Sequence, residues 1–181
     1  MVTTLVAYAT KYGGTRGIAE RIGQRLRDEG QTVHVTPVKA AGELGGYDAF
    51  VIGSAVYMGH WLKEATDFVK RHSTILAAQP VWLFSSGPLG TTTTDSKGRD
   101  LRVDAVPKEI SELAAAIRPR DHRVFFGELD IGKLRGTHRL MAKLPAARKA
   151  FIEGDFRDWH EIDTWAEGIA LELAPLALSR R

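Results

Sequence analysis

Residues 4–19 read TLVAYATKYGGTRGIA, and this stretch decides the fold. The apolar run at 4–8 predicts a buried strand, which passes through a short Gly/Thr-rich turn into a helix at 15–29. Apolar residues fall on one face of that helix, and Gly30 is its stop signal. The face consists of Ile18, Ala19, Ile22 and Leu26. A buried strand that leads directly into a helix is the repeating unit of parallel α/β sheets.

Strand and helix patterns alternate along the rest of the chain. Further strands are predicted at 32–38, 49–53, 80–85 and 123–129, and helices at 62–72 and at 106–117, the latter with Pro107 in its first turn. Five near-continuous hydrophobic strands joined by helices predict a doubly wound α/β fold, a parallel sheet with helices on both faces. Ligands of such folds bind beyond the carboxyl ends of the strands. We therefore expect the chemistry in the loops after the first, third and fourth strands.

A last helix is predicted to begin at Asp158. The Asp158 carboxylate can cap the free N–H groups of the first turn, and Glu161 completes an Asp-x-x-Glu capping box. The predicted inward stripe of this helix is Trp159, Ile162, Trp165, Ile169 and Leu173.

Length and composition favour one compact domain over residues 1–181. With 181 residues and 44% hydrophobic content, the chain can bury one core and is too short for two ordinary domains. It contains no cysteine, so thiolate catalysis and cysteine-ligated metals are excluded and redox chemistry requires a bound cofactor. The histidines show no metal-ligand spacing, and we expect no metal. The start of the chain shows neither a signal-peptide nor a membrane-span pattern, so the expected location is the cytoplasm.

The first loop, residues 9–15, has the chemistry of a phosphate cradle. Its glycines let the backbone turn N–H groups inward, the helix start adds partial positive charge, and two threonine hydroxyls can donate. Neither GxxxxGK[ST] nor GxGxxG is present, which disfavours ATP, GTP and NAD as ligands. The alternative interpretation is a plain Gly/Thr turn between a strand and a helix. The predicted binding residues here are Thr10, Lys11, Tyr12, Gly13, Gly14 and Thr15.

The third loop, residues 53–61, can hold a flat, amphipathic ring. Tyr57, Met58 and Trp61 can supply an apolar face, and Gly59 permits a peptide orientation that is closed to other residues. The alternative is that Tyr57 and Trp61 only cover the end of the sheet. The predicted binding residues are Ser54, Ala55, Val56, Tyr57, Met58 and Gly59.

The fourth loop, residues 85–90, can supply backbone donors to the polar edge of the same ring. It contains no aromatic residue. The predicted binding residues are Ser86, Gly87, Pro88, Leu89 and Gly90.

These loops resemble those of the flavodoxin superfamily. Its phosphate-loop signature, an aromatic residue, Thr-x-x-Gly-x-Thr and then Ala and an aliphatic residue, is matched by Tyr8, Thr10, Gly13, Thr15, Ala19 and Ile22. Ala7 departs from the pattern, being smaller than the residue usual before Tyr8. The resemblance implies a five-stranded flavodoxin-like sheet of order 2-1-3-4-5 with FMN as cofactor. Flavodoxins typically place a Tyr in the fourth loop to stack on the flavin, so its absence here predicts a ring that is more open on one side.

Along nearly its whole length the chain resembles the menaquinone-dependent protoporphyrinogen oxidase (dehydrogenase) branch of that superfamily. The local matches are the 53–60 loop, in which Gly59-His60 precedes an aromatic residue, and the Asp158-Trp159 pair. The resemblance implies an FMN-dependent oxidoreductase of heme biosynthesis that oxidises protoporphyrinogen IX and passes electrons to quinone. His60 can relay a proton beside the flavin, although a simple hydrogen-bonded role is the interpretation we favour, and no other catalytic residue is assigned.

A basic segment precedes the last helix. Residues 131–157 are predicted to be an insertion, and 131–152 carry six bases and no acid: Lys133, Arg135, Arg139, Lys143, Arg148 and Lys149. Apolar neighbours suited to shallow insertion are Leu134, Leu140, Met141, Leu144 and Phe151. We expect 131–151 to contact anionic lipids at the inner face of the membrane or propionate groups of a substrate. The alternative is a solvated basic surface whose Leu and Met side chains fold back onto the domain.

Two other functions stay open. A diffusible electron-carrier flavodoxin usually presents an acidic face, whereas this chain has a net charge of +3. A flavodoxin-like interaction or regulatory module would be favoured by loss of Thr10 or Thr15, yet both are present. The expected partners are a small-molecule reductant and an acceptor, and no nucleic acid.

Overall fold

A computed structural model describes residues 1–90, 92–142, 144 and 152–178 of the chain. The strands are β1 (Thr3–Ala9), β2 (Thr32–Pro37), β3 (Ala49–Tyr57), β4 (His60–Trp61), β5 (Val81–Ser86), β6 (Asp121–Phe125), β7 (Glu128–Leu129) and β8 (Gly154–Asp155). The main sheet has the order β2-β1-β3-β5-β6 with every neighbour parallel, and β4 adds an antiparallel pair to β3. When the short strand β4 is left out and the five long strands are numbered in chain order, their order in the sheet is 2-1-3-4-5. The predicted flavodoxin-like doubly wound fold is therefore confirmed.

Helices connect and cover these strands. They are α1 (Gly14–Asp28), α2 (Lys63–Arg71), α3 (Ser73–Ala77), α4 (Leu101–Asp104), α5 (Ile110–Ile117), α6 (Gly136–Ala142) and α7 (Trp159–Leu178), with 3₁₀ turns at Val38–Ala40 and Ile131–Lys133. In the part of the chain that the structure describes, no helix has the length and apolar character needed to cross a bilayer.

The sheet is buried on both faces. Leu5 and Val6 are neighbours in β1 and point to opposite faces, and both are 0% exposed. One hydrophobic cluster packs the sheet against α1 and α7, and the other packs it against α2 and α5. This two-sided burial explains why the strands read as continuous apolar runs.

Several predicted boundaries are wrong at strand and helix ends. The third strand does not stop at Gly53 but runs on to Tyr57, because the chain then reverses in a two-residue turn and pairs as β4. The fifth strand ends at Phe125, and Glu128–Leu129 form a separate small sheet with β8. Helix α5 begins at Ile110, so Pro107 lies before the helix and not in its first turn. The Pro107 carbonyl accepts the Ile110 N–H in a turn that leads into the helix.

The last helix begins as predicted, with half of the capping box formed. The Asp158 carboxylate accepts the Glu161 N–H at 3.0 Å. The Glu161 carboxylate instead pairs with the Arg102 guanidinium at 2.7 Å. Trp159 is 36% exposed and stacks on Arg157, so it does not belong to the buried stripe. The buried stripe is Ile162, Trp165, Ile169 and Leu173.

Candidate functional site

The three predicted loops meet at the carboxyl edge of the sheet. The parallel register pairs Ala9 with Ser54 and Ala55 with Ser86, so β1, β3 and β5 end side by side. Whatever each loop binds therefore lies within reach of the other two.

The first loop forms an open backbone cradle at the start of α1. Gly13 has φ +100°, and nothing lies within 4 Å of the position that a Cβ would take. The Gly13 N–H donates to the Thr10 hydroxyl at 3.0 Å, which fixes the turn. The first-turn N–H groups of a helix have no intrahelical acceptor, and together with the helix dipole they favour an anion.

Gly14 has a packing role that the sequence did not indicate. A Cβ on Gly14 would lie 3.2 Å from the backbone oxygen of Glu128 in β7. Arg157 donates to the Gly14 carbonyl at 3.2 Å and pairs with the Glu128 carboxylate at 3.0 Å. The small β7–β8 sheet, together with Arg157 just after β8, therefore supports the cradle. Arg157 also offsets the nearby negative charge of Glu128.

The third loop is a tight hairpin between β3 and β4. Met58 and Gly59 are its two central residues, with φ of +52° and +78°, as a type I′ turn requires. The Gly59 carbonyl accepts the Lys108 N–H at 3.1 Å, which ties the turn to the segment before α5.

The three side chains predicted to face a ring differ in burial, and Tyr57 is half-buried at the end of β3. Met58 is 97% exposed and Trp61 is 4% exposed within the core. The Ser54 side chain is also fully buried, and its hydroxyl accepts the Leu62 N–H at 3.0 Å. Ser54 and Trp61 therefore hold the hairpin in place from beneath.

His60 is engaged by an acidic residue that sequence analysis missed. Its Nδ1 lies 2.5 Å from Glu109 Oε1, and Glu109 Oε2 accepts the Trp61 N–H at 3.2 Å. Burial raises the pKa of Glu109, but the hydrogen bonds from His60 and Trp61 outweigh it and leave that pKa below its usual value. This geometry supports the hydrogen-bonded role for His60.

A buried hydrogen-bond chain continues from the hairpin into the sheet. Trp61 Nε1 donates to the Ser85 hydroxyl at 2.8 Å, and the hydroxyl lies 2.8 Å from His122 Nε2. Because an indole N–H only donates, the hydroxyl proton is free to donate to Nε2. Burial lowers the pKa of His122 to about 4, so the imidazole is neutral at neutral pH and accepts this bond through Nε2 in the tautomer that carries its proton on Nδ1.

The fourth loop offers fewer backbone donors than its sequence suggested. The Gly87 N–H donates to the Phe125 carbonyl at 3.0 Å, and Pro88 has no N–H. The Pro88 carbonyl accepts the Gly127 N–H at 2.9 Å. Among the described residues of this loop, Leu89 and Gly90, the latter with φ +115°, have N–H groups that could be presented to a ligand.

A histidine from the basic segment also reaches the site. His138 in α6 shares a 2.6 Å hydrogen bond with the Tyr12 hydroxyl, and its ring stacks on Tyr57 with 5.8 Å between centroids. Burial and the charge of Lys11 lower the pKa of His138, while burial and Tyr12 raise the pKa of Tyr57 to about 12. The basic composition of the segment predicted contact with lipids, and nothing in it indicated the contact of His138 with Tyr12 and Tyr57.

The apolar residues of the basic segment divide between core and surface. Leu134 is 2% exposed, whereas Leu140 and Leu144 are 67% and 52% exposed. Arg135 and Arg139 are also exposed. Lys143, Arg148, Lys149, Phe151 and the side chain of Met141 lie outside the described residues.

A separate cleft of about 480 Å³ lies between β6 and α7. Two pairs of its polar groups contact each other: Asp121 accepts the Trp165 indole N–H at 2.7 Å, and Arg123 lies 3.8 Å from Glu161. Across residues 1–90, 92–142, 144 and 152–178, no group of three or more acidic residues or histidines is arranged to hold a metal ion. The carboxyl edge therefore remains the candidate site.

The residues at that edge fit a phosphorylated, flat-ringed cofactor. The open, glycine-based cradle at Gly13 suits a phosphate group, and Tyr57 at the next strand end suits a ring. These are the two demands that FMN makes of a protein.

Comparisons with known proteins agree with this geometry. The family described as "Flavodoxin domain" matches residues 5–150. Protoporphyrinogen IX dehydrogenase (quinone) of Escherichia coli K12 is 27% identical over 177 residues, covering 92% of this chain and 94% of that protein.

Two solved structures share the fold. The flavodoxin of Streptococcus pneumoniae TIGR4 has a TM-score of 0.58 at 17% identity, over 94% of this chain and 99% of its own. Rubredoxin oxygen:oxidoreductase of Desulfovibrio gigas has a TM-score of 0.58 at 15% identity, over 94% of this chain, which spans 36% of that longer protein.

Proposed function

Because the chain belongs to the flavodoxin domain family, whose cofactor is FMN, we propose that it is an oxidoreductase that oxidises protoporphyrinogen IX and passes the electrons to a quinone. The coarse redox role follows from the family. The substrate and acceptor are proposed from the similarity to the E. coli dehydrogenase, which extends over 92% of this chain.

The observation that carries the proposal is the meeting of the Gly13 cradle with the Tyr57 hairpin at one edge of the sheet. Parallel register brings the two loops side by side, and the cradle has the positive φ and open space that a bound phosphate needs. FMN supplies the chemistry of hydride and electron transfer. The residues around it bind the phosphate and orient the ring.

We assign the phosphate to residues 10–15 and the ring to the hairpin and the fourth loop. In the first loop, Thr10 and Gly13 shape the cradle and Thr15 stands in the first turn of α1. Tyr57 supplies the ring contact. Leu89 and Gly90 supply backbone N–H groups to the polar edge.

The proposal is tested with the purified protein. A flavin spectrum with bound FMN is expected after purification or after FMN is added. Under anaerobic conditions, protoporphyrinogen IX should bleach the flavin absorbance, and a menaquinone analogue should restore it. An FMN-loaded protein that responds to neither compound would contradict the substrate assignment, and a protein with no affinity for FMN would contradict the whole proposal.

A further inference from the structure

His138 lies with its imidazole nearly parallel to the Tyr57 phenol ring. The ring planes differ by 14° and the centroids are 5.8 Å apart. The Tyr12 hydroxyl, in the first loop, holds His138 Nδ1 at 2.6 Å. One side chain therefore contacts both the phosphate loop and the hairpin.

The segment before α6 is anchored to the domain. Leu134 is 2% exposed, and the Asp130 carboxylate accepts the Gly132 N–H at 2.9 Å. Lys133 lies 3.4 Å from Asp130 and 3.5 Å from Glu128. The Asp130 contacts shape the turn itself, while the burial of Leu134, the Lys133–Glu128 pair and the Tyr12–His138 hydrogen bond hold α6 against the domain.

The two rings stand as near-parallel walls that lie closer together than an aromatic sandwich requires. A flat ring held between two aromatic walls needs roughly 7 Å between them, because each stacking interval is about 3.5 Å. The observed centroid separation is 5.8 Å. The centroid separation combines the perpendicular gap with the lateral offset of the two rings, so admitting a flat ring between them requires α6 to move outward by up to one stacking interval, roughly 3.5 Å.

The fourth loop supplies no wall of its own, since residues 86–90 contain no aromatic side chain. On the basis of the proposed function, we propose that His138 is the second wall of the flavin site, so that the ring of FMN lies between Tyr57 and His138, with Tyr12 orienting the imidazole. Burial and Lys11 lower the pKa of His138, and a neutral imidazole stacks without bringing a charge against the ring.

The test compares FMN binding by His138 variants. The flavin is removed, FMN is titrated back, and both the dissociation constant and the fluorescence yield of bound FMN are measured. His138→Asn keeps a hydrogen-bonding atom near the position of Nδ1 but loses the ring, and about fivefold weaker binding with brighter bound flavin is expected. His138→Phe keeps a ring and should bind within about twofold of wild type. His160→Ala, an exposed histidine on α7, is the matched control and should change neither quantity.

The outcomes separate this inference from the proposed function. A wild-type protein that does not bind FMN contradicts the proposed function. A wild-type protein that binds FMN, with His138→Asn equal to it in affinity and fluorescence, overturns the inference alone. Circular dichroism checks the fold of each variant. If His138→Asn does not fold, a folded His138→Phe protein that binds FMN about fivefold or more weakly than wild type overturns the inference as well.

Discussion

Gly13 holds the turn between β1 and α1 in a conformation that L residues rarely adopt. With φ at +100°, a Cβ at this position would be strained although nothing lies within 4 Å of it. We expect Gly13→Ala to lower the free energy of unfolding by about 1 kcal/mol and to weaken FMN binding at least tenfold. Denaturant titration and FMN fluorescence titration measure the two effects.

Gly30 provides a matched control for this substitution. It also has a positive φ, +82°, and open space around its Cβ position, but it follows α1 at the opposite edge of the sheet. Gly30→Ala should lose similar stability and keep its affinity for FMN. Equal losses of affinity in both variants would show that Gly13 acts through stability alone.

His122 should make folding sensitive to pH. Burial lowers its pKa to about 4, whereas the unfolded chain binds a proton at its ordinary pKa of about 6.5. Between these values the unfolded state binds more protons, so stability is fully present above about pH 6.5 and is lost as the pH falls towards about 4. About 2 kcal/mol of the unfolding free energy should disappear between pH 7 and pH 5.

His122→Gln isolates this contribution from that of other titrating groups. The Gln amide can replace Nε2 as the partner of Ser85 but does not titrate. Denaturant unfolding at both pH values should therefore show a smaller pH-dependent loss in the variant than in wild type. Parallel losses in the two proteins would mean that His122 is not the group responsible.

At the scale of elements, the β3–β4 hairpin depends on one residue of the α5 cap region. Glu109 accepts from His60 and from the Trp61 N–H, at 2.5 Å and 3.2 Å. Glu109→Ala removes both bonds, and we expect a loss of roughly 1–2 kcal/mol in unfolding free energy together with faster FMN release, because Tyr57 loses its support. Stopped-flow displacement of FMN measures the release rate.

Glu112 is the control on the same helix. It pairs with Lys70 at 2.8 Å but is largely exposed, and exposed ion pairs contribute little. Glu112→Ala should leave both stability and FMN release close to wild type. An unchanged rate of FMN release in Glu109→Ala would contradict the prediction that Glu109 retains FMN by supporting the hairpin.

The elements show where sequence analysis succeeds and where it stops. Continuous apolar runs such as 4–8 predict buried strands because both faces of the sheet are covered. The hairpin was missed because Met58 occupies a turn position where Asn or Gly is usual, so the turn carried no signal. His138 and Glu109 reach the site from distant parts of the chain, and no local pattern reports a tertiary contact of that kind.

At the scale of the whole molecule, the phosphate loop predicted the fold because it joins the first strand to the first helix at the edge where all parallel strands end. The family match over residues 5–150 confirms that prediction. The basic segment falls almost entirely within the matched residues. Membership of the family still does not decide what this segment contacts, because the fold is defined by the strands and helices of the sheet.

We predict that the basic segment contacts anionic lipids through Arg135 and Arg139, which are exposed beside the exposed Leu140. Each basic residue near an anionic bilayer contributes about 1 kcal/mol, so Arg135→Gln combined with Arg139→Gln should weaken binding to phosphatidylserine vesicles roughly thirtyfold. Cosedimentation at low and high salt measures this, and salt should reduce binding of the wild type. Arg71→Gln combined with Arg118→Gln removes the same charge from the opposite edge of the sheet. If this control pair weakens binding equally, net charge and not the basic segment governs membrane contact.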